Sequence, residues 1–208
     1  SDEAIGLERD KENKRLLPGY HFPENILVTA SKDEALAGSS MVVFAVPSKS
    51  LRDNVRNLSY HVASDSIIVS ATKGLEKGSA KRMSQIMEEE LSEDLHGKIC
   101  VLSGPNLANE IASGKPASTV IASEDEEVAI QAQSLFMSTK FRVYTSDDMV
   151  GGELGGSLKN IIALGAGISD GLGYGDNGKA AFITRGLVEI TRLGVAAGAH
   201  PMTFAGLA

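Results

Sequence analysis

MVVFAVPS, residues 41–48, is the stretch that decides the fold class. Its first six residues are apolar without interruption. A strand with one face in water would alternate apolar and polar side chains, so a continuous run belongs to a strand covered on both faces. Pro47 lacks an N–H for a sheet ladder and stops the run, and Ser48 is placed to cap a following helix. The same pattern recurs along the chain. Ser66–Ala71, SIIVSA, leads into Thr72-Lys73-Gly74, and Ile99–Leu102 leads into Ser103-Gly104-Pro105-Asn106. Two further strands are expected at Ser118–Ala122 and Phe141–Thr145, with helices over Ser79–Leu91, Leu107–Ala112 and Glu124–Met137 between them. Short apolar runs alternating with amphipathic segments are the grammar of βαβ units, hence an α/β fold with a mostly parallel sheet. Ahead of it, the chain through Asn25 reads as a charged helix tail and a turn punctuated by Pro18, Gly19 and Pro23.

After Thr145 that grammar stops. A glycine- and alanine-rich segment, GGELGGSLKNIIALGAGISDGLGYGDN at residues 151–177, is followed by a helical pattern over Ala180–Ala197. The expected division is therefore an α/β part at residues 1–148 and the start of an all-helical part at 149–208. Composition is that of an ordinary globular protein, 42% hydrophobic and 23% charged. A formal net charge of -7 gives no global reason to bind nucleic acid or an anionic membrane, so any anion must be held by local groups. The one cysteine, Cys100, lies in an apolar run and is read as an inert core residue; with no disulfide framework a reducing compartment is expected. The opening residues carry no signal-peptide apolar region, which points to a cytoplasmic location. His21, His61, His96 and His200 have no spacing suited to a metal site or a catalytic triad.

In open α/β sheets the ligand crevice lies outside the carboxyl ends of the strands. Those positions hold Pro47-Ser48, Lys73-Gly74 and Gly104-Pro105-Asn106. Lys73 supplies a cation, Gly104 permits close approach to the backbone, and Asn106 offers amide hydrogen bonds. Each alone reads equally well as a turn, whereas three at successive strand ends read as a site. Downstream, a helical wheel puts Leu154, Leu158, Ile161, Ile162, Gly165 and Ile168 on one face. Gly152, Gly155, Lys159, Ala163 and Ala166 form a stripe of small residues beside it. A lysine there either lays its stem along a packed helix with the ammonium in water, or is a desolvated amine fit for general-base work. Gly171, Gly173 and Gly175 follow a helix rather than a strand, so they read as a helix-to-helix turn and not as a dinucleotide fingerprint. Asp170, Asp176, Asn177 and Lys179 beside that turn read as structural, and Arg185 and Arg192 as surface or inter-helix pairing residues.

Four segments together, FAVPS (44–48), ATKG (71–74), LSGPNLANEIA (102–112) and ELGGSLKNIIALGAGISDGLGYGDN (153–177), closely resemble the bacterial-type NAD(P)-dependent glycerol-3-phosphate dehydrogenases. ITRGLVEITRLGVAAGAHPMTFAGLA (183–208) is similar to the same family's continuation. The resemblance implies a Rossmann-like sheet followed by a helical substrate domain. It also implies interconversion of sn-glycerol 3-phosphate and dihydroxyacetone phosphate, with NAD or NADP as cofactor, in phospholipid synthesis. Residue by residue, it makes Lys159 the proton-transferring lysine, Asn160 a neighbouring site amide, and Lys73 a lysine reaching both cofactor and substrate. Gly104 and Asn106 become substrate contacts, and Ala45, Val46, Pro47 and Ala108 cofactor contacts. Asn106 stands where many members carry serine or threonine, and Ser157 where alanine is usual. The family opens on a strand and a G-x-G-x-x-G turn that do not occur here, and continues into further substrate-binding residues. The sequence thus reads as a middle piece with an incomplete sheet, expected not to turn over by itself. Two rival readings stand beside this one: a non-catalytic remnant or binding module, and a related lysine-asparagine dehydrogenase of another hydroxy acid or sugar phosphate. The remnant reading allows association through exposed apolar helix faces, a homodimer among the forms open to it; the sequence leaves the oligomeric state open.

Overall fold

The computed structural model describes residues 2–207. Helices α1 (Asp2–Asp10) and α2 (Lys32–Leu36) precede the sheet, with an isolated antiparallel bridge between Glu12 and His21 in the turn region after α1. Helix α2 is too short to show as a periodic pattern; Ser31 caps it by accepting from Glu34 N–H at 3.3 Å. The alternation then runs β1 (Met41–Phe44), α3 (Ser48–Leu58), β2 (Ile67–Ser70), α4 (Met83–Glu90), β3 (Ile99–Ser103), α5 (Ala108–Ala112), β4 (Ala117–Ala122), α6 (Glu126–Phe136) and β5 (Phe141–Ser146). Helices α7 (Met149–Gly171) and α8 (Gly175–Ala196) follow, and a short 3-10 turn spans Pro201–Ala205.

The five strands form one sheet in chain order. β1–β2, β2–β3 and β4–β5 pair in parallel, while β3–β4 is antiparallel, with Val101 opposite Ala122 and Ser103 opposite Val120. α5 is barely more than one turn long and sends the chain back instead of carrying it across the sheet. The mostly parallel α/β expectation therefore holds, and the reversal adds a consequence. The carboxyl ends of β1, β2 and β3 share one edge of the sheet with the start of β4, and the carboxyl ends of β4 and β5 face the opposite edge.

Both faces of β2 and β3 are covered, as their continuous apolar runs require, whereas β1, at the sheet's edge, is covered on one face only and its Val43 is 44% exposed, against the expectation from its run. One core joins Val42, Phe44, Ile68 and Val101 to Leu51 and Val55 of α3 and to Met83, Ile86 and Met87 of α4. The other joins Ile67, Val69, Cys100, Ile121 and Val143 to Ala129 and Ala132 of α6. Leu51 and Val55 sit four residues apart on one helical face and are fully buried, each contributing about 1.5–3 kcal/mol. Cys100 lies in the second core, where burial pushes its thiol up to about 11. Two sequence expectations need correction. Ser48 does not cap α3: Pro47 holds that position with no side-chain cap, and Ser48 is the first helical residue. α4 begins at Met83 rather than Ser79, because Gly78 (φ +96°) and Ala80 (φ +56°) hold left-handed turns; Arg82 N–H then donates to Gln85 Oε1 at 3.0 Å at the helix start.

Helix α7 starts near the carboxyl end of β5 and crosses the sheet toward the carboxyl ends of β1–β3. Two buried carboxylates fix its course. Asp148 caps it through Gly151 N–H (2.8 Å) and accepts from His200 N–H (2.9 Å) and the Thr203 hydroxyl (2.5 Å), tying its start to the C-terminal turn. Glu153 accepts from Arg82 Nη1 (2.6 Å), Ser84 N–H (2.7 Å) and the Ser84 hydroxyl (2.7 Å), tying it to α4. Beyond the sheet the apolar face of α7 packs against α8. Gly165 lies so close to Phe182 that a Cβ there would fall 2.1 Å from its ring. Ile161, Leu164 and Ile168 remain 63%, 68% and 55% exposed. Between the helices Gly173 (φ +70°) and Gly175 (φ +75°) make the turn, and Lys179 pairs with Asp170 at 2.8 Å. Arg185 and Arg192 pair with Glu189 of their own helix, not across helices.

Candidate functional site

The polar residues beyond β1, β2 and β3 meet at one edge of the sheet. Thr72, buried just past β2, sews the ends of β1 and β2 together. Val46 N–H donates to its Oγ1 at 3.3 Å, and the hydroxyl donates to Val46 O at 2.9 Å. Lys73 follows, in a loop rather than a regular element, and its Nζ donates to Gly104 O at 2.7 Å. Lys159, ten residues into α7, donates to the same carbonyl at 3.3 Å. Two ammonium groups from separate elements thus share one backbone oxygen, and among the described residues neither has an ion-pair partner. Lys73 is exposed as a residue, and its bond to Gly104 O is part-buried. Burial first, and the adjoining Lys159 ammonium second, bring Lys73 down from 10.5 to about 8.

Glycines allow this convergence. Gly104 has φ +153°, and a Cβ there would stand 3.0 Å from both Thr119 Cα and Oγ1. On α7, a Cβ at Gly156 would lie 3.0 Å from Ser103 Oγ and 3.9 Å from Lys73 Cδ, and one at Gly152 3.8 Å from Ser103 Cβ. Gly152 of the small-residue stripe and Gly156 beside it therefore let α7 pack onto the end of β3, where Lys159 reaches Gly104 O. Asn106 is fixed by the same edge. The single hydroxyl proton of Thr119 goes to Ser103 O (2.9 Å), so Thr119 Oγ1 can only accept, from Asn106 Nδ2 at 2.9 Å. Its amide donor is spent internally, leaving Asn106 Oδ1 buried without a hydrogen-bond partner; Ser103 Oγ is in the same condition.

The structure thus brings Lys73, Gly104, Asn106 and Lys159 together. Asn160 is not among them: it is exposed and its side chain makes no hydrogen bond among the described residues, since neighbouring positions on a helix diverge by about 100°. Ala45 and Pro47 are exposed past the end of β1, Val46 is bound to Thr72, and Ala108 is the exposed first residue of α5. Sequence reasoning missed Ser157. Its hydroxyl donates to Glu153 O (2.7 Å) and its oxygen accepts from Gly74 N–H (3.0 Å), joining the lysine loop to the lysine helix. It also missed the buried roles of Glu153 and Asp148; a lone carboxylate in an apolar, glycine-rich helix was the signal for the first, and an aspartate just before the helix for the second. A cleft of about 350 Å³ lined by Ser123, Glu124, Glu126, Thr145 and Asp147 lies at the opposite edge of the sheet, and neither lysine touches it. No group of three His, Cys, Asp or Glu side chains among the described residues is placed to hold a metal ion.

Comparison with known proteins agrees with this arrangement. The family model described as NAD-dependent glycerol-3-phosphate dehydrogenase N-terminus matches residues 2–129, and the corresponding C-terminus model matches residues 148–208. The chain belongs to the NAD-dependent glycerol-3-phosphate dehydrogenase family. Within that family it is 53% identical over 208 residues to the glycerol-3-phosphate dehydrogenase (NAD(P)+) of Dehalococcoides mccartyi, covering 100% of this chain and 58% of that protein. It is 49% identical over 196 residues to the enzyme of the same name from Bacillus velezensis, covering 94% and 57%. The crystal structure of glycerol-3-phosphate dehydrogenase from Coxiella burnetii matches with a TM-score of 0.90 at 35% identity, covering 100% of this chain and 62% of that one. The chain therefore spans somewhat under two thirds of the length of these family members.

Proposed function

We propose that this chain supplies the proton-transfer and anion-binding groups of a dehydrogenase that interconverts sn-glycerol 3-phosphate and dihydroxyacetone phosphate. The observation that carries the reading is the pair of ammonium groups, Lys73 and Lys159, converging on Gly104 O without a carboxylate. An uncompensated pair of cations at a sheet edge is suited to a phosphate dianion and to the oxyanion that develops at C2. As the uncharged amine, Lys159 takes the C2 hydroxyl proton during oxidation and becomes the ammonium; as the ammonium it returns that proton during reduction, while Lys73 holds the anion and polarises the C2 oxygen. Asn160 remains a proposed substrate contact, one residue beyond the lysine. NAD or NADP, when bound, provides the nicotinamide that exchanges the hydride. The residues present fit that group: Ala45 and Pro47 are exposed past the end of β1, and Ala108 is exposed at the start of α5.

The division into residues 1–148 and 149–208 follows from this reading, the first part facing the dinucleotide and the second carrying the proton-transferring lysine. A role in glycerophospholipid synthesis and a cytoplasmic location belong to the same proposal; no helix among the described residues is long and apolar enough to cross a membrane. Initial rates with NADH or NADPH against dihydroxyacetone phosphate, other phosphorylated ketones and 2-keto acids test it in the intact protein. Preference for dihydroxyacetone phosphate is expected, and equal or better rates with a 2-keto acid would assign the site to another hydroxy-acid dehydrogenase.

A further inference from the structure

Lys73 stands in the loop between β2 and α4, so its place beside Gly104 O depends on what holds that loop. One anchor is the Gly74–Ser157 hydrogen bond at 3.0 Å. Leu75 packs against Leu154 and Phe204 as another, and a third is Glu76. Arg52 of α3 grips both of its carboxylate oxygens, Nε to Oε1 at 2.7 Å and Nη2 to Oε2 at 2.9 Å, and the Ser79 hydroxyl adds a bond to Oε2 at 2.5 Å. Such a fork fixes direction as well as distance. Arg52 is itself immobilised by α4, through Glu90 at 2.6 Å and Glu89 at 2.8 Å, and Glu90 is held in turn by Arg56. A cluster serving only to tie α3 to α4 would do so through Glu89 and Glu90. Glu76 belongs to neither helix, and its capture places a direct constraint on the loop that carries Lys73.

We propose that Arg52 is a positioning residue of the dehydrogenase site: by clamping Glu76 it sets the loop path that presents Lys73 to Gly104 O and to the ligand's anionic group. The inference rests on the reading of Lys73 as a ligand contact. Glu76→Gln tests it with little change of shape, since Arg52 keeps Glu89 and Glu90. The KM and kcat for sn-glycerol 3-phosphate are measured in the intact enzyme for wild type, Glu76→Gln, Lys73→Met and the double variant. Glu76→Gln is expected to raise KM by about tenfold, and in the Lys73→Met background to change it by less than about twofold, because groups acting through one another are not additive. Arg52→Lys, which keeps a cation but not the fork, is expected to show the same coupling, and supplies a second pair should Glu76→Gln fail to fold. Equal factors in both backgrounds, or a lowered unfolding midpoint with KM unmoved, would overturn the positioning role. A Lys73→Met enzyme with wild-type KM would instead overturn the assignment of Lys73, and the inference with it.

Discussion

Two ammonium groups sharing one carbonyl are an electrostatic cost to the fold. In Lys73, burial and the Lys159 charge lower the folded-state value to about 8, whereas the unfolded chain keeps this proton to about 10.4. Below pH 8 both states are protonated and the folded state bears the whole penalty. Between about 8 and 10.4 the unfolded state binds the extra proton, so this contribution to stability becomes more favourable as pH rises. Lys73→Met is therefore expected to be more stable than wild type at pH 7, with the gap closing as pH rises from 8 to 10; the solvent exposure of Lys73 keeps the gap small. Urea unfolding in phosphate-free buffer measures it, and a gap that widens with pH contradicts the assignment. At Gly104 the constraint is steric. A methyl group would meet Thr119 Cα and Oγ1 at 3.0 Å on a backbone with φ +153°. Gly104→Ala is expected to cost about 1–3 kcal/mol and to displace the carbonyl that both lysines use. An unchanged unfolding midpoint would show that β4 yields freely.

At the scale of elements, α7 matters most, because it carries Lys159 across the sheet on two buried carboxylates. Glu153 has a side chain only 2% exposed against an Arg82 that is 21% exposed. Glu153→Ala should destabilise by about 3 kcal/mol, since it leaves a cation and a buried N–H without their acceptor. Asp148→Ala should cost about 2 kcal/mol through the lost cap and the orphaned His200 N–H. Thermal unfolding of each variant against wild type reads both values. The elements were legible where burial writes itself as a continuous apolar run: MVVFAV, SIIVSA and ICVL all became strands, and Lys73 and Gly104 followed from their ends. The β3–β4 reversal was not legible, because LANEIA reads as a helix whether the chain crosses the sheet or turns back. Nor was the start of α4, which left-handed backbone at Gly78 and Ala80 decides. The lysine pair was only half legible: spacing put Lys159 on a small-residue stripe, but its meeting with Lys73 at one carbonyl depends on how closely α7 approaches β3. Asn160, adjacent in sequence, is carried outward by helical geometry.

Over the whole molecule, the sheet has a dry core on each face, whereas the far end of the α7–α8 pair is greasy and open. Leu164, Ile168 and Leu172 are 68%, 55% and 60% exposed. Apolar area of this kind, left uncovered in the chain of residues 1–208, favours association. Leu164→Lys with Ile168→Glu is expected to reduce binding of a hydrophobic dye and to raise solubility with no loss of unfolding free energy. A destabilised variant would show that these side chains are packed in solution.

The account turns on Lys159, and its turnover number tests it most directly. In the intact enzyme, Lys159→Ala should lower kcat for sn-glycerol 3-phosphate oxidation by about 100-fold or more, the scale of a lost general base, while NADH affinity by fluorescence titration stays near wild type. A kcat within a few-fold of wild type would contradict the proton-transfer role, whatever the geometry of the lysine pair.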